Sequence, residues 1–238
     1  MKFEVAAPNE NFNGMSYGGW AAVWNSWVVS SKPIYDGGTV LFLRGNINYR
    51  PAGKQRSGPR FLDPSAFYDR TGSKGENVFE GTAIFIPVIT ASWSISNIYD
   101  GHLIENEQEL RYFVNKDIDE GGIIWAKIRN VDSREYSMIV KDIRDYRIES
   151  SVFRLRIPRN SLLNTKMEEH VKPGMYDTVV GGYFLLLKSL PLSRYRIAFG
   201  GKGRGPYYTN AIYDISVLKK PRDKIRDVSG TMNHRESK

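Results

Sequence analysis

At 238 residues, with 41% hydrophobic and 13% aromatic content, the chain has ample material for one large core and is too apolar for bulk disorder. It contains no cysteine, which excludes disulfides, thiolate metal ligands and cysteine nucleophiles. A net charge of +8 points to anionic partners, while no signal-peptide core opens the chain and no run approaches 18 apolar residues.

Lys2 to Ala6 reads as a first strand or a docking arm, and residues 1–13 are assigned as an N-terminal arm. Trp20, Val23, Trp24, Trp27 and Val28 then recur at i, i+3, i+4, i+7 and i+8, one face of an α-helix. Ser16 stands at its N-cap, and Ser16, Tyr17, Trp20, Trp24 and Trp27 form the predicted structural anchor. After the Asp36-Gly37-Gly38 turn, residues 39–43 read as a buried strand. Residues 44–80 show no clear periodicity. Between Asp36 and Asp63 they carry Arg44, Arg50, Lys54, Arg56 and Arg60 with no acid, interleaved with aromatic residues and followed by Tyr68 and Arg70.

Residues 82–89 are a strongly apolar strand in which Pro87 marks an edge or a bulge, since it cannot donate to a ladder. Ala91 to Ile98 continues as extended chain. Asn106 and Glu109 match a capping box that opens a helix burying Leu110, Phe113 and Val114. Residues 122–128 return to strand. From Ser151 to Ile157 the alternation places Phe153, Leu155 and Ile157 inward and Arg154 and Arg156 outward. Residues 161–168 suggest one or two helical turns. Gly182 to Leu187 reads as a central strand, and 194–199 with 207–217 as a hairpin around a glycine-rich loop. The tail from Lys219 to Lys238 carries seven Lys/Arg against Asp223, Asp227 and Glu236.

Three motifs invite chemistry and yield to their context. Gly14-Met15-Ser16-Tyr17-Gly18 spells a nucleophile elbow, but Asn9 to Asn13 is turn-like where a strand must enter. Gly200 to Gly205 lacks the Gly-Lys-Ser/Thr ending and following helix of a phosphate loop. Asp117 to Gly122 lacks the oxygen ligands that complete a calcium loop. No enzyme, cofactor or metal is expected.

The pattern Tyr17-Gly18-x-Trp20-x-x-x-Trp24-x-x-Trp27, Phe42-Leu43-x-Gly45 and Ala83-Ile84-Phe85-x-Pro87-Val88 resembles an uncharacterised family of bacterial proteins. Residues 182–191, Tyr195-x-Ile197-x-Phe199-Gly200-Gly201 and Tyr213-x-Ile215-x-Val217 extend the resemblance. In lacking cysteines and a signal, the chain is more similar to proteins of marine and cyanobacterial phages that are commonly labelled structural or hypothetical.

The expected fold is mainly β: a single antiparallel, jelly-roll-like β-sandwich over 14–218 with the Trp-rich helix, one or two short helices and a basic tail at 219–238. The expected role is a non-enzymatic virion structural protein made in a host cytoplasm, a head decoration or cement protein or an accessory tail component. Its partners would be an acidic protein lattice or further copies of itself, with no sequence-specific nucleic acid and no membrane. The alternative is a glycan- or polyanion-binding module, and a glycoside hydrolase ranks below it. Candidate interaction residues are Arg44, Arg50, Lys54, Arg56, Arg60, Tyr68, Arg70, Lys202, Arg204, Lys219, Lys220 and Arg222.

Overall fold

A computed structural model describes residues 3–30, 39–49, 74–159, 161, 172–204 and 207–220; at 46–49, 74–76 and 207 only the backbone is described. In chain order the elements are β1 (Glu4–Val5), α1 (Tyr17–Val29), β2 (Val40–Phe42), β3 (Asn46–Tyr49), β4 (Lys74–Phe79), β5 (Ala83–Ser94), β6 (Ile98–Tyr99) and β7 (His102–Leu103). They continue as α2 (Glu107–Asp119), β8 (Ile123–Asn130), β9 (Tyr136–Met138), a 3-10 turn (Ile143–Tyr146), β10 (Arg147–Glu149), β11 (Phe153–Ile157), β12 (Gly174–Ser189), β13 (Ser193–Lys202) and β14 (Tyr207–Leu218). The protein is mainly β.

The first sheet is organised by the 16-residue β12, which pairs with β5 along one edge and with β11, β10 and β1 in succession along the other. β2 closes the far side of β5. The second sheet runs β3-β14-β13-β8-β9, with β4 beside the later half of β14. Both sheets are mixed and not antiparallel as expected, because β2 lies parallel to β5 and β4 parallel to β14. Neither pair is joined by a short hairpin, so the long intervening chain leaves room for a parallel return.

Alternation along β5 and β12 sorts their side chains onto two cores. Ile84, Ile86, Leu185 and Leu187 meet Ala126, Ile128, Tyr195, Ile197, Phe199, Tyr213 and Ile215 of the second sheet. Ala83, Phe85, Phe184 and Leu186 face the other way and meet Tyr17, Ala21, Trp24 and Val28 of α1. Pro87 sits where it was expected, beside a bulge: Phe184 pairs with Pro87 and Tyr183 with Ile89, so Val88 is the extra residue. Opposite that bulge Gly182 has φ +156°, and a Cβ there would lie 2.2 Å from the Ile89 carbonyl oxygen.

Helix α1 is capped as predicted, with the Gly19 N–H donating to Ser16 Oγ at 3.2 Å. Its entry is a tight turn, Phe12 bridging Met15 through Asn13 and Gly14 at positive φ, and no strand leads into Ser16 as an elbow requires. The buried stripe is rotated from the expected one: Tyr17, Ala21, Trp24 and Val28 are buried, Trp20 and Trp27 are half-buried, and Val23 is exposed. Tyr17 causes the rotation. Its hydroxyl donates to the Ala6 carbonyl at 2.8 Å and accepts from the Leu186 N–H at 3.1 Å, stitching the N-terminal segment to β12. That segment is therefore no free arm over residues 3–13. β1 pairs with β12, Ala6 is buried, and Lys188 binds Glu4 at 2.6 Å and Glu10 at 2.7 Å.

Helix α2 confirms its capping residue, with Glu109 N–H donating to Asn106 Oδ1 at 3.0 Å. The expected Leu110, Phe113 and Val114 are buried with Tyr99, Ile104 and Val179. The extended segment expected at 91–98 instead ends in the β6–β7 hairpin, turned by Asp100 and Gly101, both at positive φ. In β11, Leu155 and Ile157 are buried, Phe153 is half-buried, and Arg154 and Arg156 are exposed, which matches the predicted alternation. Ser161 is buried; the rest of the predicted helical turns at 161–168, and the tail beyond Lys220, lie outside the described residues.

Candidate binding face of the second sheet

With Ala126 and Ile128 turned into the core, β8 directs Trp125, Lys127 and Arg129 to the outer face. In β13, Tyr195, Ile197 and Phe199 point inward, which leaves Arg194, Arg196, Ala198, Gly200 and Lys202 outward. Register then builds rows across the sheet. Tyr136, Arg129, Arg196 and Asp214 share one row; Met138, Lys127, Ala198 and Ile212 the next; Trp125, Gly200 and Asn210 the third; Ile123, Lys202 and Tyr208 the fourth.

Arg129 and Arg196 thus stand directly opposite each other, an arrangement of like charges that lowers stability. Asp214 relieves Arg196 through contacts of 2.6 and 2.9 Å, and Arg129 instead lies 4.8 Å over the Tyr136 ring. Among the described residues no carboxylate occupies a register position beside Lys127, Arg129 or Lys202. A Cβ at Gly200 would lie 3.0 Å from Trp125 Cζ2, so the indole rests across β13 in the middle of this face.

The candidate residues that the structure describes do not gather into one patch. Arg44 follows β2. Its N–H donates to the Tyr213 hydroxyl at 2.9 Å, that hydroxyl donates to its carbonyl at 2.8 Å, and its guanidinium lies 4.8 Å over Trp27. Lys202 is exposed at the end of β13, on the outer face. Lys219 and Lys220 are exposed beyond the other end of β14, about ten strand residues and roughly 33 Å away. Arg50, Lys54, Arg56, Arg60, Tyr68, Arg70 and Arg222 lie outside the described residues.

Arg204, a candidate interaction residue, is instead an internal clasp. Its guanidinium binds Asp100 at 2.9 Å, Glu120 at 3.1 Å and the Tyr99 hydroxyl, and its N–H donates to the Asp117 carbonyl at 2.9 Å. The C-terminal end of α2, with its carbonyls and partial negative charge, draws this cation inward. The Asp117 carboxylate is engaged by side chains of the fold. It accepts from Trp93 Nε1 at 2.8 Å and the Tyr99 hydroxyl at 2.7 Å, while burial pushes its pKa up against those bonds. At the far end of the sheet Asp132 behaves oppositely: Arg194 and Ser193 hold its pKa down to about 2.

Lys127, Arg129 and Trp125 escaped the sequence reading, although the alternation Ile124, Ala126, Ile128 against Trp125, Lys127, Arg129 was available to find them. Among the described residues no helix is long and apolar enough to cross a membrane. Compared with protein families, curated proteins and solved structures, the chain matches none.

Proposed function

We propose that the chain is a non-enzymatic virion structural protein, a head decoration or cement protein or an accessory tail component, that engages an acidic partner surface. The carrying observation is the outer face of the second sheet, where, among the described residues, no carboxylate neighbours Lys127, Arg129 or Lys202 in register and Arg129 opposes Arg196. An arrangement that lowers the stability of the isolated chain is offset when an anionic surface is laid against it. The shared core of the two sheets supports a jelly-roll-like sandwich as the scaffold. Resemblance to phage-encoded chains supports the virion setting. Mass spectrometry of purified virions tests the reading: the chain co-purifies at fixed stoichiometry with the particle, and its absence from particles overturns the proposal.

The row Trp125, Gly200 and Asn210 favours a second reading, an acidic-glycan-binding module with the indole as platform. Saturable binding on a glycan array, lost in Trp125→Ala, would favour it over virion assembly.

A further inference from the structure

At the end of the molecule where β1 begins, the β4–β5 and β12–β13 turns frame an open cleft of about 610 Å³. Phe3, Leu190 and Pro191 give it an apolar lining, and Glu4 and Glu80 supply two carboxylates. Glu4 is engaged by Lys188 at 2.6 Å, whereas the Glu80 carboxylate has no ion-pair partner among the described residues. The same two turns carry a projecting apolar group. Phe79 and Leu218 pair in register, Leu192 precedes the Ser193–Val217 pair, and their exposures are 44%, 44% and 49%. Three large apolar side chains left in water beside an apolar hollow mark a contact surface.

Knob and hollow lie side by side, which is the condition for a two-fold contact. Rotating a second copy about an axis between them sets each knob against the other copy's hollow, so one patch serves both sides. Charge fits the same operation. Glu80 N–H donates to the Leu218 carbonyl at 2.8 Å, so Lys219 and Lys220, which follow the knob, leave β14 at the cleft wall. Both lysines are exposed, and neither forms an ion pair among the described residues. We propose that this end of the molecule is a self-association surface. Phe79, Leu192 and Leu218 of one copy enter the hollow of Phe3, Leu190 and Pro191 on a second copy, and the two lysines meet its Glu80. A small apolar ligand would fill the hollow and leave the knob in water, whereas a second copy covers both. A contact of this extent fits a weak, reversible dimer and not an obligate one. It uses none of Lys127, Arg129 and Lys202, so it stands or falls apart from the function proposed above.

Sedimentation velocity of the full chain, over a concentration series reaching the millimolar range, tests the proposal through charge reversal on either side of the contact. The natural chain should show a reversible monomer–dimer equilibrium. Glu80→Lys alone, and Lys219→Glu with Lys220→Glu in one chain, should each weaken it about tenfold or more, because like charges then face each other across the two-fold axis. An equal mixture of the two variants should dimerise again, since every reversed residue then meets a reversed partner. All of these side chains are exposed, so melting temperatures close to that of the natural chain certify that the variants are folded. A natural chain that stays monomeric throughout overturns the proposal, and so does a mixture that fails to recover dimer. A dimer that persists undiminished in Leu218→Asp places the contact elsewhere and overturns it too.

Discussion

Helices α1 and α2 have the same length, 13 residues, and each is capped by a side-chain oxygen, yet they are held by different forces. α1 has no acid in its first turn and no base in its last. Its attachments are aromatic contacts: Trp24 on Phe184 at 5.9 Å, Trp27 on Phe42 at 5.8 Å and Trp20 on Phe42 at 6.1 Å, with Phe85 stacked on Phe184 beneath. α2 opens with Glu107 and Glu109 and is tied by charge: Arg111 holds Glu107 at 2.7 Å and also reaches Glu149, and Arg147 holds Asp119 at 2.9 Å. α1 should therefore respond to lost volume, and α2 to pH and salt.

The largest expected effect lies in α1. Trp24→Ala should cost about 3–5 kcal/mol in chemical denaturation, because the indole is buried and its Nε1–H donates to the Leu43 carbonyl at 2.8 Å. A loss no greater than that of an exposed substitution would place this helix outside the core. Tyr17→Phe should cost about 1–3 kcal/mol, since two backbone groups buried around one hydroxyl lose their partner. Ser16→Ala and Asn106→Ala should each cost about 1 kcal/mol, the one respect in which the helices behave alike. Unequal losses there would show that the caps contribute through tertiary packing.

The pH response separates the regions further. Asp117 has a folded pKa above its ordinary value of 3.8, so its stabilising contribution is present below that value and lost as pH rises through the raised one. The stability of the natural chain relative to Asp117→Asn should therefore improve on acidification from pH 7 to 4. A difference that stays constant with pH would contradict burial as the cause. Asp132, with its folded pKa near 2, carries the opposite sign: its contribution is present above 3.8 and lost as pH falls toward 2, so Asp132→Asn should flatten that acid limb.

What was legible in the sequence follows the same division. α2 could be read down to its buried residues because polar and apolar positions alternate with helical period and the cap has its own signature. α1 could be located but not oriented: nearly every residue is apolar or small, and the hydroxyl of Tyr17, bonding to Ala6 and Leu186 far along the chain, chose which face turned inward. The parallel placements of β2 and β4 left no local signal, since each depends on a partner distant in sequence. Asp100-Gly101 did carry a hairpin signal between Ile98-Tyr99 and His102-Leu103, and the alternation of β8 marked the outer row. Arg204 looked like a loop cation because the carboxylates that capture it, Asp100 and Glu120, come from separate parts of the chain.

The central claim, that the outer face of the second sheet receives an acidic partner, rests on charges that oppose each other in the isolated chain. The most direct test measures Arg129→Glu in the full-length protein for both thermal stability and affinity for polyglutamate at low and moderate salt. Replacing one of two facing cations should raise the melting temperature, because a like-charge pair worth about 0.2–1 kcal/mol becomes an opposite-charge pair. The same substitution should weaken polyglutamate binding about tenfold or more and reduce its salt dependence. Undiminished binding, or weakened binding accompanied by an equivalent loss of stability, would contradict the account.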